Sequence, residues 1–175
     1  MRLGAIRGHG IAGSTMELEK EQIIEYFRRS YTSADGLWFV KVEDRYGFDV
    51  ALELDREVWK VLPKIQARML KHMGRLGQGM EALRECLETR LSLEGFQFRT
   101  EGIENGSGFR IVVSECPWYN ILIKSGRENI AATVGDAICY TEYPVWAAEF
   151  GEGIGFKMER QICHGAKNCM LEFTL

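Results

Sequence analysis

The hydrophobic period of the chain changes near residue 95, and this change constrains the fold more than any single motif. Before it, apolar residues recur at helical steps. STMELEKEQIIEYFRRSY carries Ile23, Ile24, Phe27 and Tyr31 at such spacing, with Ser14 and Thr15 available as caps. A second apolar patch, Leu37, Trp38, Phe39 and Val42, ends at Gly47. From about Asp49 to Met73, the residues Leu54, Val58, Val61, Ile65, Met69 and Met73 trace one face of a helix. Pro63 falls inside that run and must kink the helix or open a new one. After the break GRLGQG, a further helix is expected from about Met80 to Leu93.

Beyond Gly95 the text alternates. FQFRTE and FRIVVSE have the period of strands, and GIENGSG between them reads as a turn. Two helical stretches follow, PWYNILIKSGR and ENIAATVGDAICYTEYPVWAAEF, with a break or kink expected at Pro144 near Tyr143. GIGFKMERQI and CMLEFTL are strand-like and flank HGAKN. The second half therefore reads β-β-α-α-β-β. The simplest packing is an α+β fold: N-terminal helices, then a four-stranded antiparallel sheet with two helices packed on one face. The expected organisation is a disordered leader over residues 1–15, a helical region over 16–94 and an α+β cysteine-containing core over 95–175, with helices and core forming one unit.

Composition removes several function classes. Charge is mixed, with 22 basic and 25 acidic residues, and no basic stripe suggests nucleic acid as a partner. No apolar run approaches the length of a membrane span. The leader MRLGAIRGHGIAGST is Gly-rich and lacks the apolar run of a signal peptide, so a cytoplasmic location is expected. In a reducing compartment the five cysteines are read as thiols or ligands rather than disulfides.

The cysteines are the main chemical signal. Cys86 lies in the amphipathic stretch ALRECLETRL and reads as core. Cys116 ends a strand and precedes Pro117, which places it at a helix N-cap. Free amides and the helix dipole there favour a thiolate, so Cys116 is a candidate nucleophile or metal ligand, against the alternative of a simple turn residue. Cys139 lies on a helix, and Cys163 and Cys169 flank the last turn. The spacing of the last four cysteines is not that of a zinc finger, but a strand end, a helix and the two ends of a hairpin can converge at one end of a sheet. Four thiolates there would suit zinc or an iron–sulfur cluster. The alternative is four independent small residues.

Other polar groups surround them. His164 reads as an exposed turn residue, because neighbours on a strand point to opposite faces. Glu115, Asp136 and Glu142 are candidate general bases beside the thiols. Arg127, between two helices, is a candidate anchor for an anionic ligand, or a cap for helix-end carbonyls. Trp118 and Trp146 are read as core, or as aromatic contacts to a ligand.

ECPWYNILIKSGRENI, DAICYTEY and ERQICHGAKNCMLEF, in that order, resemble the cysteine-containing core of the L-2-amino-thiazoline-4-carboxylic acid hydrolase-like family. The ending, cysteine, a glycine-containing turn, cysteine and an apolar strand, is also similar to the 4-vinyl reductase domain family. YFRRSYTSADGLWFVKVEDRYGFDVALELD resembles the helical region of uncharacterised prokaryotic proteins carrying this core. The resemblance implies an antiparallel α+β fold like the ligand-binding domains of the nitric-oxide-sensing and Golgi-tether superfamily. It also implies that Cys116, Cys139, Cys163 and Cys169 belong together.

Two functions are expected from these readings. One is a small-molecule-binding or sensing domain whose cysteine cluster holds a metal or iron–sulfur cluster. The other is a hydrolase opening a cyclic C–N bond of a thiazoline-carboxylate-like substrate, with Cys116 as nucleophile, Glu142 as base and Arg127 as carboxylate anchor. A third reading is an interaction module, in which the aromatics of the helical half, Tyr26, Phe27, Tyr31, Trp38, Phe39 and Trp59, dock on the sheet or form a homodimer.

Overall fold

A computed structural model describes residues 16–103 and 106–175. The expected leader, and Ser14 and Thr15 as caps, lie outside the described residues. Four helices come first: α1 (Lys20–Tyr46), α2 (Phe48–Trp59), α3 (Leu62–Gly74) and α4 (Met80–Glu94). A hairpin of β1 (Gln97–Gly102) and β2 (Gly108–Glu115) follows, then α5 (Pro117–Lys124) and α6 (Ala131–Ala148), then a second hairpin of β3 (Gly155–Arg160) and β4 (Cys169–Thr174). The four strands form one antiparallel sheet in the order β1-β2-β4-β3. This is the α+β fold that the change of period implies. Among the described residues, no helix is long and apolar enough to cross a membrane.

Local chemistry accounts for the boundaries. α1 runs unbroken through both apolar patches and Gly36, and opens where the Glu19 backbone N–H donates to Gln22 Oε1 at 2.9 Å. Pro63 opens α3 within its first turn, where a missing N–H costs least. Lys60 and Val61 nevertheless keep right-handed helical dihedrals, so α2 and α3 follow one another without a reversal. Gly95 ends α4 at φ 84°, a left-handed position that suits glycine, and its N–H closes on Leu91 and Ser92 carbonyls.

Of the break or kink expected at Pro144, the break does not occur: α6 continues through it to Ala148. Tyr143 on one side, and Trp146 and Ala147 on the other, are buried in the core. Their burial outweighs the roughly 3 kcal/mol that proline costs a helix interior.

One hydrophobic cluster joins the two halves. Leu83, Leu87 and Leu91 of α4 meet Ile111, Leu171 and Phe173 of the sheet and Trp146 and Phe150 at the end of α6. The Phe109 and Phe173 rings stack at 5.1 Å, and Tyr143 stacks on Phe156 at 5.3 Å. The long apolar face of α2 and α3, by contrast, is turned away from this core. Leu54, Val58, Val61, Ile65, Met69 and Met73 are all exposed, and α1 contributes no fully buried residue.

Leu87 is completely buried at the centre of the cluster. Leu87→Ala is expected to lower the unfolding free energy by about 2–5 kcal/mol. Urea denaturation would show this as a reduced midpoint at an unchanged m-value.

Candidate functional site

A cavity of about 500 Å³ lies between the middle of α1, the end of α2, α5, α6 and the concave side of the sheet. Its walls are mainly apolar, with Phe39, Val40, Leu122, Val134, Ile138 and Leu171 prominent. α1 crosses one side of it, contributing residues from Thr32 to Val40. The charged and amide groups that line it are Asp35, Asp55, Glu142, Gln161 and Arg127, beside the thiols and a few hydroxyls such as Thr32, Ser33 and Ser125.

Cys116, Cys139, Cys163 and Cys169 all line this cavity, as the convergence of strand end, helix and hairpin suggests. Cys116 is the N-cap of α5, Cys139 lies on α6, Cys163 sits in the 3-10 turn Ile162–His164, and Cys169 opens β4. Cys169 Sγ accepts the Ile162 N–H at 3.3 Å. Gly135 leaves room for the Cys163 Sγ in its present position, since a Cβ there would lie 2.6 Å from it and push it aside. All four are free thiols.

Their charge state differs from the expected one. Burial pushes the Cys116 thiol up to about 12, even though the Tyr119 and Trp118 backbone amides of its helix pull the other way. Burial likewise raises Cys163 to about 11, and Cys139 and Cys169 upward, with neighbouring thiols adding to the effect at Cys116, Cys139 and Cys163. The N-cap does not make a thiolate here, because desolvation is the larger effect. Among the described residues no three His, Cys, Asp or Glu side chains are arranged to hold a metal ion. The four cysteines therefore meet on one cavity without forming the ligand shell that zinc or an iron–sulfur cluster requires.

Below the cavity lies a buried ion network. Arg90 of α4 donates from Nε to Glu94 Oε1 and from an Nη to Glu142 Oε2, each at 2.9 Å. Its guanidinium also lies over the Trp59 and Tyr143 rings, at 5.8 and 6.0 Å from their centroids. Burial pushes Glu142 up to about 7, against the pull of Arg90. Trp118 Nε1 points to Glu94 Oε2 at 3.4 Å, and its ring meets Tyr31 and Trp59 edge-on at 5.6 and 5.8 Å.

Asp35 and Asp55 are the acids that sequence reading passed over. Asp35 is pushed up to about 6 by burial and by Glu94. Asp55 is pushed up to about 7 by burial and by Asp35, with a smaller opposing hydrogen bond from Trp59. No basic side chain among the described residues contributes to holding either carboxylate charged. Both lie on amphipathic helices, where an isolated acid reads as a solvated charge. Only the packing of α1 on α2 turns them inward together.

The remaining candidates divide. Trp118 lines the cavity, as does Glu142. Arg127 lines it too, but its guanidinium is bound to Glu43 of α1 and covers the Phe39 ring at 5.5 Å. It ties α1 to the turn before α6 instead of presenting a free anion anchor. Trp146 is not a ligand contact: it is fully buried in the core, stacked with Phe150. Asp136 pairs with His164 at 2.8 Å on the surface, and Glu115 is exposed at the end of β2.

A model of a family of unknown function (DUF6125) matches residues 15–164. No curated protein and no solved structure matches the chain.

The buried acids set a pH dependence of stability. An acid whose pKa is raised on folding favours the folded state below its ordinary value, and that contribution is lost as pH rises through the folded value. For Asp35 and Asp55 the window runs from about 4 to about 7. Denaturation is expected to show a more stable protein at about pH 5 than at about pH 8. Asp55→Asn should raise the value at the higher pH and shrink the difference.

Proposed function

We propose that the chain, which belongs to this family of unknown function (DUF6125), is a small-molecule-binding domain whose cavity takes a largely apolar molecule carrying a protonated nitrogen. The observation that carries this reading is the pair Asp35 and Asp55, two carboxyls without a basic partner, opening into an apolar cavity beside Trp59 and Trp118. A ligand cation placed there would receive what the protein withholds from these acids. It would also lie against aromatic rings suited to a positive charge. The apolar body of the ligand would extend along Ile138, Val134 and Leu122 towards the thiols.

Binding is favoured over the hydrolytic reading on three observations. The Cys116 thiol is held neutral by burial, Glu142 is engaged by Arg90, and Arg127 is engaged by Glu43. None of the three is free for the role of nucleophile, base or carboxylate anchor. The cavity is of a size usual for small-molecule sites, about 300–1,000 Å³.

Calorimetry with tryptamine and with its neutral alcohol analogue tests the charge requirement. The amine is expected to bind at least about tenfold more tightly, and its affinity to rise with pH as the two acids ionise. Asp55→Asn should remove most of the difference between the two probes. Equal affinity for both, or no binding of any of a panel of aromatic and alkyl amines, would overturn the reading.

A further inference from the structure

The exposed stripe on α2 and α3 has a symmetry that its burial pattern alone does not explain. Val50, Leu54 and Val58 on α2, Val61 at the joint, and Ile65 and Met69 on α3 form one apolar row, with Val61 and Ile65 each 55% exposed. Helical dihedrals at Lys60 and Val61 carry the row across the joint. From Val50 to Met69 it is about 29 Å long at the usual helical rise.

The residue preceding each stripe position is charged, and the sign changes at the joint. On α2 these residues are Asp49, Glu53 and Glu57, all acidic. From the joint onward they are Lys60, Lys64 and Arg68, all basic. All six are exposed.

We propose that this face is the two-fold interface between two copies of the chain, with α2 of each lying antiparallel to α3 of the other. When two helices meet antiparallel through one apolar row, the flanking rows on the same side of each row face each other. A two-fold axis near the α2–α3 joint then sets Val50 against Met69 of the second copy, Leu54 against Ile65, and Val58 against Val61. The same register brings Asp49 to Arg68, Glu53 to Lys64 and Glu57 to Lys60. Apolar and charged rows match under a single axis, as an isologous interface requires. A parallel pairing would turn the two charged rows to opposite sides of the contact, where neither meets its complement.

Some of these charges already have partners within the chain. Glu57 bonds Lys60, and Arg68 bonds Glu149 at 2.9 Å through two nitrogens. The exposed Glu57–Lys60 pair contributes little and exchanges partners at small cost, whereas the bidentate Arg68–Glu149 pair, with Glu149 largely covered, holds Arg68 more firmly. Glu53 and Lys64 have no such bond among the described residues and make the cleanest probe. The inference is independent of what fills the cavity.

Sedimentation equilibrium of the full chain tests it with three surface variants. The wild type is expected to be a dimer. E53K and K64E should each weaken it by about tenfold, since each sets like charges together twice across the axis. The double variant E53K/K64E restores opposite charges at both places and should recover most of the wild-type affinity. I65E, with folding checked by circular dichroism, should be monomeric. A monomeric wild type would overturn the proposal, as would single charge reversals that dimerise like the wild type, or a double variant no tighter than the singles.

Discussion

Arg90 is a cation held almost wholly out of water, and the helices around it are arranged accordingly. A buried guanidinium is tolerable only when its charge is met, because the desolvation of an unpaired ion costs several kcal/mol. Here two of the three guanidinium nitrogens bond carboxylates and the third has no partner among the described residues. Glu94 meets it along α4 and Glu142 meets it from α6. Trp59 and Tyr143 add aromatic faces from α2 and α6. Four contacts from three helices thus converge on one side chain, fixing the spacing of α2, α4 and α6. The cavity above them depends on that spacing. Glu142 belongs to both the network and the cavity wall, so the ion pair is also the floor of the site.

Desolvation sets the chemical character of the space above. It keeps the four cavity cysteines as thiols and raises Asp35 and Asp55 to about 6 and about 7, so both acids are neutral in mildly acidic solution and ionise as pH rises through those values. The two kinds of group differ in what could restore their charge. The thiols need a metal or a strong base, and the described residues are not arranged around a metal. The acids need only a cation, which an amine-bearing ligand supplies. On the proposed reading, this difference would put polar recognition at the α1–α2 end and leave the cysteines as a small, polarisable lining at the other.

The sheet was legible because its signal is local. Two alternating pairs, each closed by turn residues, define two hairpins whatever the rest of the chain does; the pairing of β2 with β4 that joins them is seen only in the structure. Pro63 was legible for the same reason, since its missing N–H acts on its own turn. Pro144 was not, because the decisive burial of Trp146 and Tyr143 comes from distant segments. The cysteine quartet was half legible. Topology brings Cys116, Cys139, Cys163 and Cys169 to one place, but their protonation depends on enclosure by α1 and α6, which no spacing reports. Arg90, Asp35 and Asp55 were invisible as site residues, because the partners that matter lie 52 residues away from Arg90 on Glu142, or on a neighbouring helix. The apolar row of α2 and α3 misled in direction. Periodicity identifies a face, and nothing in one chain's pattern says whether that face meets its own core or another surface.

α2 joins these two features. Asp55 and Trp59 turn from it into the cavity, while Leu54 and Val58, each one residue earlier, turn outward along the stripe. A helix is too stiff for one flank to shift without the other, so a displacement of α2 on filling the cavity moves the outer row by a similar amount. If both proposals hold, occupancy of the cavity and pairing through that row would be coupled through a single rigid element. Linkage makes such coupling reciprocal: whatever factor the ligand applies to dimer affinity, the dimer applies to ligand affinity. The sign follows from which arrangement of α2 sets the two outer rows parallel to the two-fold. If the filled arrangement does so, the ligand tightens the dimer and the second site fills more readily than the first. If the empty one does, filling loosens the pair, and the protein releases its partner copy as it takes up the amine.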